Sequence, residues 1–330
     1  MTDWKDTDLQ TLRDIIRWHR QGMRVLLATV VHSYGSSPRP AGSMAAFGAL
    51  GVISGAVSGG CVEDDICQKF CAGTLSRTEV MRYGGTEAVR LGLPCGGTLE
   101  VLVEPDPDIP ALELLCSRLE RRQLTFRRVD LHTGSTEVGP GTPGDSTHYD
   151  GRSFRSIHGP SWRLLLIGAN SVAAALCPLA LSLGYDTLVC DPRPEYGQDW
   201  GLADIPLRRE MPDDLVRALV PDQRTAIIAL AHDPKIDDLA LMESLESPAF
   251  YVGALGSTAN NMRRRQRLGA LGVRDTALAR LHGPVGLAIG SRTPAEIAIA
   301  IAADLIQERS RLTILPLQPV SAAELTHAHL

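Results

Sequence analysis

From Trp162 onward the chain alternates short, branched-aliphatic runs with helical stretches, and this alternation constrains the fold more than any other feature. "RLLLIGAN" reads as a buried strand, "SVAAALCPLALSLG" as a helix closed by Gly184, and "YDTLVCD", "TAIIALAHD" and "AFYVGALGS" as three further strands. Strands separated by helices need right-handed crossovers, which produce a mostly parallel sheet with its ligands outside the carboxyl ends of the strands. The expected fold class is α/β: a C-terminal Rossmann-like, doubly wound parallel sheet plus a smaller N-terminal α+β domain. The Gly, Pro, Ser and Thr-dense stretch "TGSTEVGPGTPGDSTHYDGRS" reads as an exposed loop or hairpin region before the boundary, so the domains are placed at 1–159 and 160–330.

The N-terminal half has a different grammar. Leu9, Leu12, Ile15, Ile16 and His19 recur at helical spacing and predict one amphipathic packing helix. "RVLLATVVHS" then reads as a buried strand, and "SMAAFG", "LGVISGAVSGG" and "GTLEVLVEP" suggest a small sheet whose chemistry sits on its loops. A helix ("ALELLCSRLERRQ") and a strand ("TFRRVDL") follow.

Charge and composition exclude several classes. With 33 basic against 38 acidic side chains and a net charge of -5, no nucleic-acid partner is expected. The longest clean apolar run, Ile297 to Ala303, is far short of the roughly 20 residues that span a bilayer, so no membrane association is expected. The acid-rich start lacks a secretory signal, and seven cysteines without a CxxC pair fit a reducing cytoplasm.

Two loops carry the thiol chemistry. Cys61 follows Gly59 and Gly60 in "SGGCVEDD", and Cys95 precedes Gly96 and Gly97 in "LPCGGTLE". Glycines beside each sulfur leave room for a ligand, whereas a lone cysteine is otherwise a small core residue. Cys67 and Cys71, four apart on a predicted helix, are assigned to packing, and Cys116, Cys177 and Cys190 to the core. Zinc is a poor explanation because Cys61, Cys67 and Cys71 lack paired-ligand spacing.

In the second half, Gly168 opens a dinucleotide-type turn and Asp191 closes the next strand 23 residues later. Asn170 stands where that fingerprint wants its second glycine, so the competing readings are a simple strand-to-helix turn, a nicotinamide site, or a bulkier phosphorylated ligand. Gly256 and Ser257 precede a helix whose first amides suit an anion, with Arg263, Arg264 and Arg265 read as a solvated basic face. Thr293, Pro294 and Glu296 form a helix-start signal beside Arg292, a candidate oxyanion contact. His232 and Asp233 end a strand on the ligand face and form a candidate acid/base or hydrogen-bonding pair.

The ordered set "GSSPRPAG", "SGGCVEDD", "LPCGGTLEVLVEP", "LLLIGAN", "CDPRPEY", "LAHDPKIDDLAL", "YVGALGS" and "GPVGLAIGSRTPAEIAIAIAADLI" resembles the XdhC and CoxI family of molybdenum-cofactor chaperones, over about residues 22 to 310. The resemblance implies an accessory factor, not an enzyme, that delivers molybdenum cofactor to a xanthine dehydrogenase or aldehyde oxidase type apoenzyme. The cargo is molybdopterin or its cytosine dinucleotide form. Implied partners are the molybdenum hydroxylase apoenzyme, a cysteine desulfurase, a molybdopterin nucleotidyltransferase and a second copy in a homodimer.

The resemblance assigns Ser36, Arg39 and Gly42, Gly59 to Cys61 with Glu63, and Cys95 to Gly97 to an amino-terminal signature. It assigns Asp191, Arg193, His232, Asp233 and Arg292 to a Rossmann-domain signature. Cys61 and Cys95 are the molybdenum ligand candidates, and Arg193, Arg292 and the helix ends face the cofactor's charged tail. The chain departs from the family pattern at Asn170 and Ser171, where a glycine and a histidine are usual. Two rival readings remain: an NAD(P)-dependent oxidoreductase with His232 as proton donor, and an interaction protein that docks to an apoenzyme without cofactor.

Overall fold

The computed structural model describes residues 7–34, 39–84, 98–142, 145–198, 200–202 and 205–313. The chain divides into two compact units, Met1–Trp162 with Leu181–Asp186, and Arg163–Ala180 with Thr187–Leu330.

The first unit begins with α1 (Thr7–Arg20), β1 (Val25–Tyr34), β2 (Met44–Gly48), β3 (Ile53–Gly55), α2 (Cys61–Cys71), β4 (Glu79–Tyr83), β5 (Thr98–Pro105) and α3 (Ile109–Glu120). Its main sheet has the order β3-β2-β1-β5-β4 and antiparallel registers, with Leu27 opposite Ala46 on one side and Glu104 on the other. The side-chain period of two sends Val25 and Leu27 into a cluster with Leu12, Ile15 and Leu112 of α1 and α3. Leu26, Ala28 and Val30 enter a second cluster with Val62, Ile66 and Phe70 of α2. Burial on both faces explains why β1 is apolar from Val25 to Val31 except for the buried Thr29, with no polar alternation. The helical stripe of α1 stops one residue earlier than its sequence pattern suggests: Trp18 is buried and His19 is exposed.

The Gly/Pro-rich stretch before the second unit is not loop throughout. It contributes β7 (Thr136–Pro140) and β8 (His148–Tyr149) to a small antiparallel sheet with β6 (Thr125–Asp130) and β9 (Ser153–His158), ordered β7-β6-β9-β8. Pairing with β6 draws Glu137, Gly139 and Pro140, residues of low strand propensity, into β7. A buried bidentate pair joins β6 to β5: Arg127 Nη1 donates to Glu104 Oε2 at 2.9 Å and Nη2 to Oε1 at 2.5 Å.

The second unit contains β10 (Trp162–Ile167), α4 (Ser171–Ser182), β11 (Tyr185–Cys190), β12 (Leu207–Arg208), α5 (Pro212–Leu219), β13 (Thr225–Ala229), α6 (Pro234–Glu246), β14 (Tyr251–Ala254), α7 (Thr258–Ala270), α8 (Asp275–Leu278), β15 (Leu281–His282) and α9 (Pro294–Thr313). Its six strands run in the order β12-β11-β10-β13-β14-β15. Counted from β10, that is 3-2-1-4-5-6, the Rossmann order, and β10–β13, β13–β14 and β14–β15 pair in parallel. Leu165, Ile167, Ile227 and Ala229 share a cluster with α5, α6 and α7, while their neighbours Leu164, Leu166 and Ile228 are equally buried. A sheet covered on both faces follows, as a parallel sheet requires.

Candidate functional site

Two groups of sequence-selected residues are built by the fold. In the first unit, β3 hands the chain through Val57 and Ser58 to the start of α2, and Glu63 organises that turn from inside. Its Oε1 accepts from the Val57 and Ser58 amides at 2.8 and 2.7 Å. Its Oε2 accepts from the Gly60 amide at 3.0 Å and from the Ser58 hydroxyl. Glu63 is buried, and burial alone would raise its pKa, yet the hydrogen bonds from Ser58 and the backbone hold the carboxyl below its ordinary value. Glu63 therefore shapes the loop, and the residue that the loop presents is Cys61.

Cys61 is exposed at the first position of α2. Gly60 adopts φ 129°, a conformation that a side chain would strain, and among the described residues nothing lies within 4 Å of a Cβ built at Gly59 or Gly60. Both glycines thus leave the approach to the sulfur clear. Cys67 packs partly against the α2 core, whereas Cys71 is exposed, with its Sγ 3.5 Å from the Ala49 carbonyl, so the packing assignment fails for Cys71. Cys116, Cys177 and Cys190 are buried. Gly42 (φ 93°) is buried in the turn into β2, with its amide bonded to Val30 O, and Arg39 is half-buried. Ser36, Cys95, Gly96 and Gly97 lie outside the described residues.

In the second unit, the carboxyl ends of the parallel strands carry the other group. Gly168 (φ 111°) follows β10, and a Cβ there would lie 2.7 Å from the Ala231 nitrogen, so the position needs glycine for close packing against the end of β13. Asn170 acts as a cap: its Oδ1 accepts from the Val172 and Ala173 amides at 3.0 and 3.1 Å. These amides are among those a pyrophosphate would use at a Rossmann turn. The strand-end Asp191 is fully buried and engaged too, accepting from the Ala169 amide at 2.9 Å and from Arg193 Nε and Nη2, each at 2.9 Å. The Arg193 guanidinium lies 3.7 Å over the Tyr196 ring, which fixes its plane.

His232, after β13, has φ 63°, a left-handed backbone uncommon outside glycine. Asp237 pins it there by accepting from the Ala231 and His232 amides, both at 3.1 Å. The imidazole is exposed on one side. Burial of the remainder, and then the positive charges of Arg264 and Arg193, hold its pKa below the ordinary value. Asp233 does not pair with it as an acid/base partner; its carboxylate caps α6 by accepting from the Lys235 amide at 2.9 Å. Ser257 caps α7 through the Asn260 amide, and Gly256 (φ 138°) makes the turn before it. Arg292 is exposed, while Glu296 takes the Arg292 and Thr293 amides at 2.7 and 2.9 Å. The helix starts expected to receive an anion are thus capped by the protein's own side chains.

The basic run also resolves differently from its sequence appearance. Only Arg263 is a solvated residue of the three. Arg264 is buried and donates to Asp237 Oδ2 at 3.1 Å, Asn261 Oδ1 at 2.8 Å and the Leu255 carbonyl at 3.1 Å. Arg265 donates to the Leu278 and Leu281 carbonyls. Sequence reasoning missed Asp237, Asn261 and Arg264 as the scaffold of the His232 turn. The signal available was the acid pair Asp237–Asp238 in a helix whose inner face is otherwise apolar apart from Ser244.

Comparison with known proteins places both units in one lineage. Residues 164–305 match the model described as the XdhC Rossmann domain, and residues 18–84 match that of the XdhC and CoxI family. The chain is 27% identical to the molybdenum cofactor insertion chaperone PaoD of Escherichia coli, over 90% of this chain and 87% of that protein. It is also 27% identical to a Bacillus subtilis protein named as a probable xanthine dehydrogenase component, over 88% of this chain and 94% of that protein. A crystal structure described as a xanthine dehydrogenase from Bacillus halodurans superposes with a TM-score of 0.75 at 26% identity, covering 95% of this chain and 98% of that one.

Proposed function

The chain belongs to the XdhC and CoxI family, and from that premise we propose that it is an accessory factor of molybdenum-enzyme maturation. It carries molybdenum cofactor, as molybdopterin or its cytosine dinucleotide form, to a xanthine dehydrogenase or aldehyde oxidase type apoenzyme. The observation that carries this reading is the exposed Cys61 sulfur, set at a helix start by two unencumbered glycines and a buried Glu63. Molybdenum in this cofactor is a soft, sulfur-ligated centre, and an accessible thiol is the side chain best matched to it. Cys95, with Gly96 and Gly97, belongs to the same proposal.

The cofactor's other end is an anionic phosphate or diphosphate. Arg193 and Arg292 are the proposed contacts for such groups, beside Gly168, His232, Gly256 and Ser257 at the strand ends. Asn170 occupies two of the amides on which a pyrophosphate at this turn would depend, which counts against a nicotinamide dinucleotide there and equally leaves the cargo's charged end to the arginines. The name of the Escherichia coli relative supports a cargo carrier rather than a protein that only docks. A cytoplasmic homodimer that meets the hydroxylase apoenzyme, and a desulfurase or nucleotidyltransferase, completes the proposal.

Anaerobic purification from cells supplied with molybdate, followed by metal analysis, tests it. Near-stoichiometric molybdenum that falls in the Cys61→Ser, Cys95→Ser double variant is expected. A chain that purifies without molybdenum refutes the cargo reading. Molybdenum unchanged in the double variant refutes the thiol contact.

A further inference from the structure

Among residues not assigned to the cargo, three metal-ligating side chains of the second unit converge. His282 closes β15, and Asp304 and Glu308 lie one turn apart on α9. One ligand atom from each lies within 4.8 Å of the others, and His282 Nδ1 is 3.7 Å from Asp304 Oδ2. Asp304 is only 6% exposed, while His282 and Glu308 are half-buried and reachable from solvent.

Asp304 is held from behind. The Tyr251 hydroxyl donates to its Oδ2 at 2.6 Å. Tyr251 also stacks on the His282 ring with centroids 4.2 Å apart, which fixes the imidazole plane. Outer partners that orient a carboxylate and an imidazole toward one point are the supporting shell that metal ligands require. Two carboxylates at i and i+4 repel each other, and burial of one weakens solvent screening of that repulsion. The exposed Arg311 contacts Glu308 Oε1 but leaves Asp304 unaddressed. A cation between the three groups relieves the repulsion.

We propose that His282, Asp304 and Glu308 form a divalent-metal site that ties the edge strand β15 to α9. One imidazole with two carboxylates suits a borderline first-row ion of the zinc, cobalt or manganese type, with water completing the coordination. The site is independent of the molybdenum cargo reading, and it uses none of the residues assigned to that cargo.

The test uses the full chain, carrying Cys61→Ser to remove the exposed thiol of the cargo site, stripped with EDTA and titrated with cobalt(II). Binding of one equivalent with visible d–d absorption is expected. His282→Ala and Glu308→Gln should each weaken binding by at least about tenfold, and Tyr251→Phe by about tenfold through the outer shell. Both first variants change half-buried groups, and circular dichroism in EDTA establishes that each is folded. No cobalt bound by the parent chain, or His282→Ala and Glu308→Gln binding as the parent does, overturns the site.

Discussion

Asn170 Nδ2 donates to the Leu230 carbonyl at 2.7 Å, bridging the ends of β10 and β13 at the point where the strand order of the parallel sheet reverses. The crevice that would receive a dinucleotide in this fold is therefore laced by a side chain that also caps α4. Asn170→Ala removes the cap and leaves the Leu230 carbonyl without this donor, a loss of about 1–2 kcal/mol in urea unfolding. Asn170→Asp keeps the acceptor for the Val172 and Ala173 amides but turns a carboxylate oxygen toward the Leu230 carbonyl, so it should also destabilise, through the bridge and not the cap. Equal midpoints for Asn170→Ala and the parent would show that the bridge contributes nothing.

Glu63 makes the thiol loop sensitive to acid. Its pKa in the folded chain is below the ordinary value of 4.5, so its contribution is present above about pH 4.5 and is lost as pH falls through the lower folded value. Glu63→Gln should lower stability at pH 7, and the gap between variant and parent should close on acidification below pH 4.5. Paired urea titrations across that window check the sign. A gap that widens toward acid would mean that the carboxylate is not the stabilising form.

The parallel α/β class of the second unit was legible because four of its six strands are apolar runs closed by Gly168, Asp191, His232 or Gly256. Local pattern determines that much. The two-residue edge strands β12 and β15, and with them the full strand order, were not legible. Of the small sheet, β6 was legible as the strand "TFRRVDL" and the stretch after it as a loop or hairpin, but the strands Thr136–Pro140 and His148–Tyr149 are set by pairing with β6 and β9. The same distinction separates the site residues. Gly59, Gly60 and Cys61 are neighbours in sequence, so a thiol presented directly after two glycines could be read from the sequence. Arg264 looked like one of three surface arginines, and its burial depends on Asp237, 27 residues earlier, which no local pattern reveals.

Thiol reactivity separates presented sulfurs from buried ones. Cys177 and Cys190 are completely buried, and desolvation pushes each thiol up to about 12. Burial first, and then the Glu120 charge, raises Cys116 as well. Brief iodoacetamide treatment at pH 7.5, read by peptide mass spectrometry, should label Cys61 and Cys71 while Cys116, Cys177 and Cys190 remain unmodified until the chain is unfolded. Early labelling of Cys177 or Cys190 would contradict the second core, and a protected Cys61 would contradict the open glycine approach.

The His232 turn rests on a buried charge pair whose strength depends on pH. Burial raises the Asp237 carboxyl to about 6, with Arg264 and the Ala231 and His232 amides pulling in the opposite direction. Because the folded value exceeds the unfolded one, Asp237 binds its proton more tightly in the folded chain, and its contribution to stability declines as pH rises from about 3.8 through 6. Removing Arg264 therefore matters most where Asp237 is ionised. Arg264→Met should cost about 3–5 kcal/mol at pH 8, the magnitude for stranding one partner of a buried pair. The same variant should cost less at pH 5, where the carboxyl takes a proton, and Asp237→Asn in the Arg264→Met background should recover part of the loss at pH 8. Urea unfolding of the single and double variants at both pH values measures each difference. An Arg264→Met cost independent of pH would place the energy of this turn in the Asp238, Asn261 and Leu255 contacts rather than in the Asp237 pair.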